Sequence, residues 1–131
     1  VTPGLLTADF NLRFSPNYTA EYIQERIEAI LNQHGCDYEL TWTLGGKPFL
    51  TDPNSAFIRT VMNSIEQFCG IVTEPSTSGG TSDGRFFAEY GVEVVEVGPI
   101  NASIHQVNER INLEELTQLS ALYECILDNA L

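Results

Sequence analysis

The chain has 131 residues and a mass of 14.5 kDa, about one domain's worth at ~100–200 residues per domain. Hydrophobic residues make up 43 % and charged residues 18 %, ordinary globular proportions that argue against disorder and fibrous repeats. Six Lys and Arg against eighteen Asp and Glu leave a net charge of −12, so nucleic acid and anionic membrane surfaces are poor partners. No apolar run nears the ~20 residues of a membrane helix. Cys36, Cys69 and Cys125 are odd in number and widely spaced, which argues against a disulfide framework or a Cys-rich zinc site and suits a reducing cytosol. The only methionine is Met62 and the sequence opens Val1-Thr2-Pro3. The expectation is a removed leader or a piece of a longer polypeptide.

Leu6, Ala8, Phe10, Leu12 and Phe14 alternate with polar residues, the pattern of a half-buried strand. Ser15-Pro16-Asn17 turns the chain. Thr19 caps a helix whose stripe is Ile23, Ile27, Ile30 and Leu31, ending near Gly35. Tyr38, Leu40 and Trp42 form a second alternating strand, so residues 1–43 read β-α-β. Leu44-Gly45-Gly46-Lys47-Pro48 is the linker. Asp52-Pro53 predicts a helix start, with a buried stripe of Phe57, Val61, Ile65 and Phe68 and a stop at Gly70. Ile71-Val72 is a short strand and Ser76 to Gly84 a loop of small residues. Val92, Val94, Val95 and Val97 predict a strand buried on both faces. Asn112 with Glu115 opens a last helix carrying Leu116, Leu119, Tyr123 and Ile126. Residues 1–50 carry three basic and six acidic side chains and residues 51–131 three and twelve, an asymmetry that fits two structural units.

Two stretches could carry chemistry. In Ser78-Gly79-Gly80-Thr81-Ser82-Asp83-Gly84-Arg85, glycines permit close backbone approach, and hydroxyls with free N–H groups can hold an anionic oxygen. A surface turn is the competing reading. The P-loop ending and the strand–GxGxxG–helix order are both absent. The second stretch, Gly98 to Glu109, follows the valine-rich segment, where loops build sites in open α/β sheets. It contains His105, a residue type that ligates zinc and that also serves as a hydrogen-bonded structural group. His34, at a helix end, reads as structural. A Ser82–Asp83–His105 triad is disfavoured, because adjacent Ser and Asp do not readily place a carboxylate behind the imidazole. Metal hydrolysis is the better enzymatic hypothesis, but only one credible ligand is present where about three are needed.

Asp9-Phe10-Asn11-Leu12-Arg13-Phe14, Gly46-Lys47-Pro48-Phe49-Leu50-Thr51, Gly79 to Phe86, Gly98-Pro99-Ile100-Asn101 and Ile104-His105 with Asn108-Glu109 together resemble the dinuclear-zinc aminoacylase and carboxypeptidase family. The Ile-His-x-x-Asn-Glu ending looks more like its desuccinylase branch than its acetylornithine-deacetylase branch. The resemblance implies an α/β fold in two pieces. Residues 1–50 would be the second half of an α+β lid and dimerisation domain. Residues 51–131 would be the C-terminal part of a mixed-sheet catalytic domain. It further implies a cytosolic homodimer that removes a succinyl group from diaminopimelate with two Zn2+ per full-length subunit, Co2+ being an alternative. His105 would be a zinc ligand. Arg13, Thr81 and Asn101 would hold the substrate, with Gly80 lending backbone contact. No catalytic residue would lie in this stretch, which alone would be inactive. The family's asparagine just before Val1 and its lid histidine are not matched. A non-enzymatic binding or dimerisation module is the other reading.

Overall fold

Thr19 has extended backbone (φ −100°, ψ 161°) and its hydroxyl accepts the Tyr22 N–H at 3.1 Å. That cap satisfies one of the free amides of a helix start and sets α1 over Ala20–Gln33. The computed structural model describes residues 3–78, 80, 82–100 and 102–131. They fall in two units, Val1–Pro48 and Phe49–Leu131.

In the first unit α1 ends at His34, whose N–H donates to the Ile30 carbonyl, followed by Gly35 in the left-handed region (φ 64°). Ile23, Ile27 and Leu31 are half-buried, but Ile30 is 42 % exposed and drops out of the expected stripe. The Glu21 carboxyl is held below its usual range by its own backbone N–H, then by the Thr19 hydroxyl, with Lys47 adding attraction. The 38–43 segment is tied to α1 through polar tips. Trp42 Nε1 donates to Glu28 at 3.3 Å and the Tyr38 hydroxyl to Asn32 at 3.3 Å. Phe10 meets the Trp42 ring edge-on, centroids 6.1 Å apart.

The second unit is organised by α2, Ala56–Cys69, and α4, Leu113–Ala130, which pack on each other. Val61, Leu122 and Ile126 form the core, with Phe57, Ile65, Val95, Val97 and Leu119 against it. Ser64 is fully buried at this contact. Its hydroxyl donates to the Thr60 carbonyl at 2.8 Å and accepts from Asn129 Nδ2 at 2.9 Å, so the buried polar atom is satisfied. Asp52-Pro53 is not the helix start. The Asp52 carboxylate instead accepts the Asn54 N–H at 2.9 Å, a local turn, and Ser55 takes over as cap by accepting the Ile58 N–H at 3.2 Å. Gly70 stops α2 with φ 69°. Asn112 caps α4 through the Glu114 N–H at 2.9 Å. The buried line of α4 is Leu122 and Ile126, whereas Leu116 and Tyr123 stand 48 % and 45 % exposed. Between them lies the five-residue α3, Gly84–Ala88.

The expected strands over 6–14, 38–42, 71–72 and 92–97 form no ladder among the described residues, so the mixed sheet is missing from this structure. Among the described residues, backbone hydrogen bonds outside the helices are all local turns and caps. A strand exists by pairing its N–H and C=O groups with a neighbour, and side-chain contacts such as Phe10–Trp42 do not supply that. The apolar face of the 6–14 segment accordingly lies open, with Leu6 87 % and Phe10 56 % exposed. No helix among the described residues is long and apolar enough to cross a membrane.

Candidate substrate and metal site

The 92–97 segment keeps a strand's period of two without a partner strand. Its odd members, Val95 and Val97, pack on the α2–α4 core, and the Tyr123 hydroxyl donates to the Val97 carbonyl. Its even members, Val94 and Glu96, meet the glycine- and serine-rich loop instead. Burial on both faces, expected from the valines, is therefore only partial: Val92 is 52 % exposed, and Val94, Val95 and Val97 are half-buried.

Val94 is fixed by an unusual substitute for a ladder. The Thr51 hydroxyl accepts the Val94 N–H at 3.0 Å and donates to the Val94 carbonyl at 2.5 Å. Glu96 Oε1 accepts both the Ser82 hydroxyl at 2.5 Å and the Ser82 N–H at 3.1 Å. Ser82 Oγ in turn accepts the Gly84 N–H at 3.0 Å. Gly84 has no room for a side chain, since a Cβ there would lie 2.6 Å from Val94 Cγ1 and 3.0 Å from Ser82 Oγ. Val94 is β-branched, stiff about χ1 and pinned by Thr51, so it cannot easily give way. Gly84→Ala is expected to destabilise by about 1–3 kcal/mol, the scale of an overpacked site. Denaturant unfolding checks this, and in a Val94→Ala background the same change should cost little.

Beyond Val97 the chain makes two consecutive turns. The Gln106 N–H donates to the Ser103 carbonyl at 3.2 Å, and the Glu109 N–H to the Gln106 carbonyl at 3.2 Å. His105 and Asn108 occupy the same third position of these turns, with φ 61° and 64°. Positive φ at that position is what a type II turn requires, and Asn and His tolerate it better than most residues. Ser103 closes the base: buried, its hydroxyl donates to the Arg110 carbonyl at 2.9 Å and accepts the Arg110 N–H at 3.0 Å. A hollow of about 340 Å³ lies under the turns, walled by Ile100, Ile104 and Ile111. The His105 imidazole is on the outside, exposed.

Gly80 and His105 thus lie in the second unit, both exposed, and Arg13 in the first, also exposed. Thr81 and Asn101 fall outside the described residues. Ser82 bonds Glu96 and the Gly84 amide, with no bond to His105 among the described residues, so no triad is assembled. Nor do the described residues bring three or more His, Cys, Asp or Glu side chains together to hold a metal ion. His105 is one donor, and by themselves these residues do not fit a two-metal centre. Glu96 and Ser103 were not singled out from sequence. A lone carboxylate inside Val94-Val95-Glu96-Val97, on the same face as Val94, was the available sign for the first.

The model of peptidase family M20/M25/M40 matches residues 2–129, and the chain belongs to this family. Among curated relatives, the succinyl-diaminopimelate desuccinylase of Ectopseudomonas mendocina is 53 % identical over 123 residues, 94 % of this chain and 32 % of the relative. The enzymes of that name from Acidovorax ebreus and Acinetobacter baylyi are 48 % and 46 % identical, over 98 % and 100 % of this chain and 33 % and 34 % of their own lengths. The chain therefore spans about a third of the length of the curated relatives it matches.

Proposed function

We propose that this chain is part of a longer amidohydrolase that converts N-succinyl-LL-2,6-diaminopimelate and water into succinate and LL-2,6-diaminopimelate, a step towards diaminopimelate and lysine. Identity of 46–53 % to desuccinylases over nearly the whole chain carries this reading. The amide C–N bond breaks, the acyl carbon gains the water oxygen, and the nitrogen leaves with a proton. In this reading residues 1–50 are half of a lid that also dimerises, and residues 51–131 complete a catalytic domain. Their unpaired segments join a mixed sheet with strands from elsewhere in the polypeptide.

In this reading Arg13, Thr81 and Asn101 hold the substrate's carboxylates and backbone, Gly80 lends backbone contact, and His105 would contribute one ligand to a dinuclear zinc or cobalt centre. The other ligands and the general base lie beyond this chain, so the bond-breaking step itself is not assigned to its residues. Three free cysteines suit a reducing compartment such as the cytoplasm, and in this reading the lid half in residues 1–50 makes the parent a homodimer. The test is to incubate the full-length polypeptide with the N-succinyl and N-acetyl substrates of the two branches and follow the released acid and amine. Succinate release is expected. Turnover of N-acetylornithine alone would overturn the assignment.

A further inference from the structure

We propose that Glu96 is a positioning residue that sets the glycine-rich loop for substrate binding by clamping Ser82, an inference that rests on reading that loop as a substrate contact. Both polar hydrogens of Ser82, on nitrogen and on Oγ, go to the same Glu96 oxygen, at 3.1 and 2.5 Å. Hydrogen bonds to an ionised carboxylate are about twice as strong as neutral ones. The clamp does not act alone. Ser82 Oγ also receives the Gly84 N–H, Gly84 abuts Val94, and Val94 is held on both backbone groups by Thr51. The 92–97 segment is meanwhile seated on the α2–α4 core by Val95 and Val97. Glu96 therefore transmits the position of a packed core to a loop that is itself exposed at Ser78, Gly80, Ser82 and Asp83.

The experiment uses the full-length polypeptide, with Glu96→Ala, Glu96→Gln, Ser82→Ala and the double variant Glu96→Ala/Ser82→Ala. Glu96→Ala is expected to raise KM about tenfold or more, the scale of one charge-assisted hydrogen bond, with a smaller change in kcat and unchanged metal content. Glu96→Gln keeps an acceptor oxygen and should recover part of the loss. Adding Ser82→Ala to Glu96→Ala should cost less than Ser82→Ala alone, because the hydroxyl's bond to Glu96 is already gone and only its bond from the Gly84 N–H remains to be lost. Hydrogen exchange of the Ser82 amide should quicken in Glu96→Ala. An unchanged exchange rate would overturn the clamp whatever the kinetics do. Faster exchange with unaltered KM would overturn the positioning role. If Glu96→Ala does not fold, Glu96→Gln and Ser82→Ala carry the same comparison. If the unaltered protein releases no succinate, the functional reading falls separately, and Ser82 amide exchange still decides the clamp.

Discussion

Replacing His105 in the full-length polypeptide is expected to lower turnover at least ~10²-fold, the scale of losing a well-placed electrostatic group, and to weaken one of two metal ions. The choice of substitution matters because His105 sits at φ 61°. Alanine there adds backbone strain of roughly 1 kcal/mol to the loss of the imidazole, which would blur ligand and loop effects. Asparagine tolerates the left-handed region and lacks the ring, as Asn108 at φ 64° in the next turn illustrates. His105→Asn should therefore keep the turn while losing metal and rate together, since a missing ligand opens the coordination sphere. Metal analysis beside steady-state kinetics on one preparation measures both. Two tightly held ions and near-normal turnover in His105→Asn would show that the histidine is no ligand.

Arg13→Lys is expected to reduce kcat/KM about tenfold or more while both metal ions stay bound. Arg13 is exposed, so its guanidinium is free to take a carboxylate in a two-pronged contact that an ammonium point charge cannot reproduce. The fall should sit mainly in KM, because in the proposed role the contact would hold the substrate's charge and not the scissile bond. Steady-state kinetics with metal content read in parallel is the check. Unchanged kinetics would make Arg13 a solvated surface charge.

Helices were legible where local chemistry decides them. Thr19, Gly35, Gly70 and Asn112 all end or begin helices as their side chains or backbone freedom require. Asp52-Pro53 misled because an Asp carboxylate can satisfy its own turn as readily as a helix end, leaving the cap to Ser55. The strands were legible as periodicity only. The valines of 92–97 read as a strand buried on both faces, whereas in the structure Val95 and Val97 meet the core and Val94 and Glu96 meet the loop, and pairing depends on a neighbour that the run itself does not specify. At the site, the sequence points to both loops. It does not reveal that Thr51, more than forty residues before Val94 in the chain, is what holds the Val94 backbone beside one of them. Non-local contacts of this kind leave no local signature.

The helices α2 and α4 bracket every residue of the two loops: the stretch from Gly70 to Asn112 runs between them. That arrangement couples the loops to the helix pair. Each helix can nucleate from its own cap, but Ser64 meets Asn129, and Val61 meets Leu122 and Ile126, only after the whole intervening stretch has been closed into a ring. The closure entropy is paid once, and it grows only slowly with ring size. Val95 and Val97 have no platform until then, so Glu96 has no fixed place from which to reach Ser82. Loosening the helix pair is therefore expected to release the seat of Val95 and Val97, and with it the place from which Glu96 reaches Ser82.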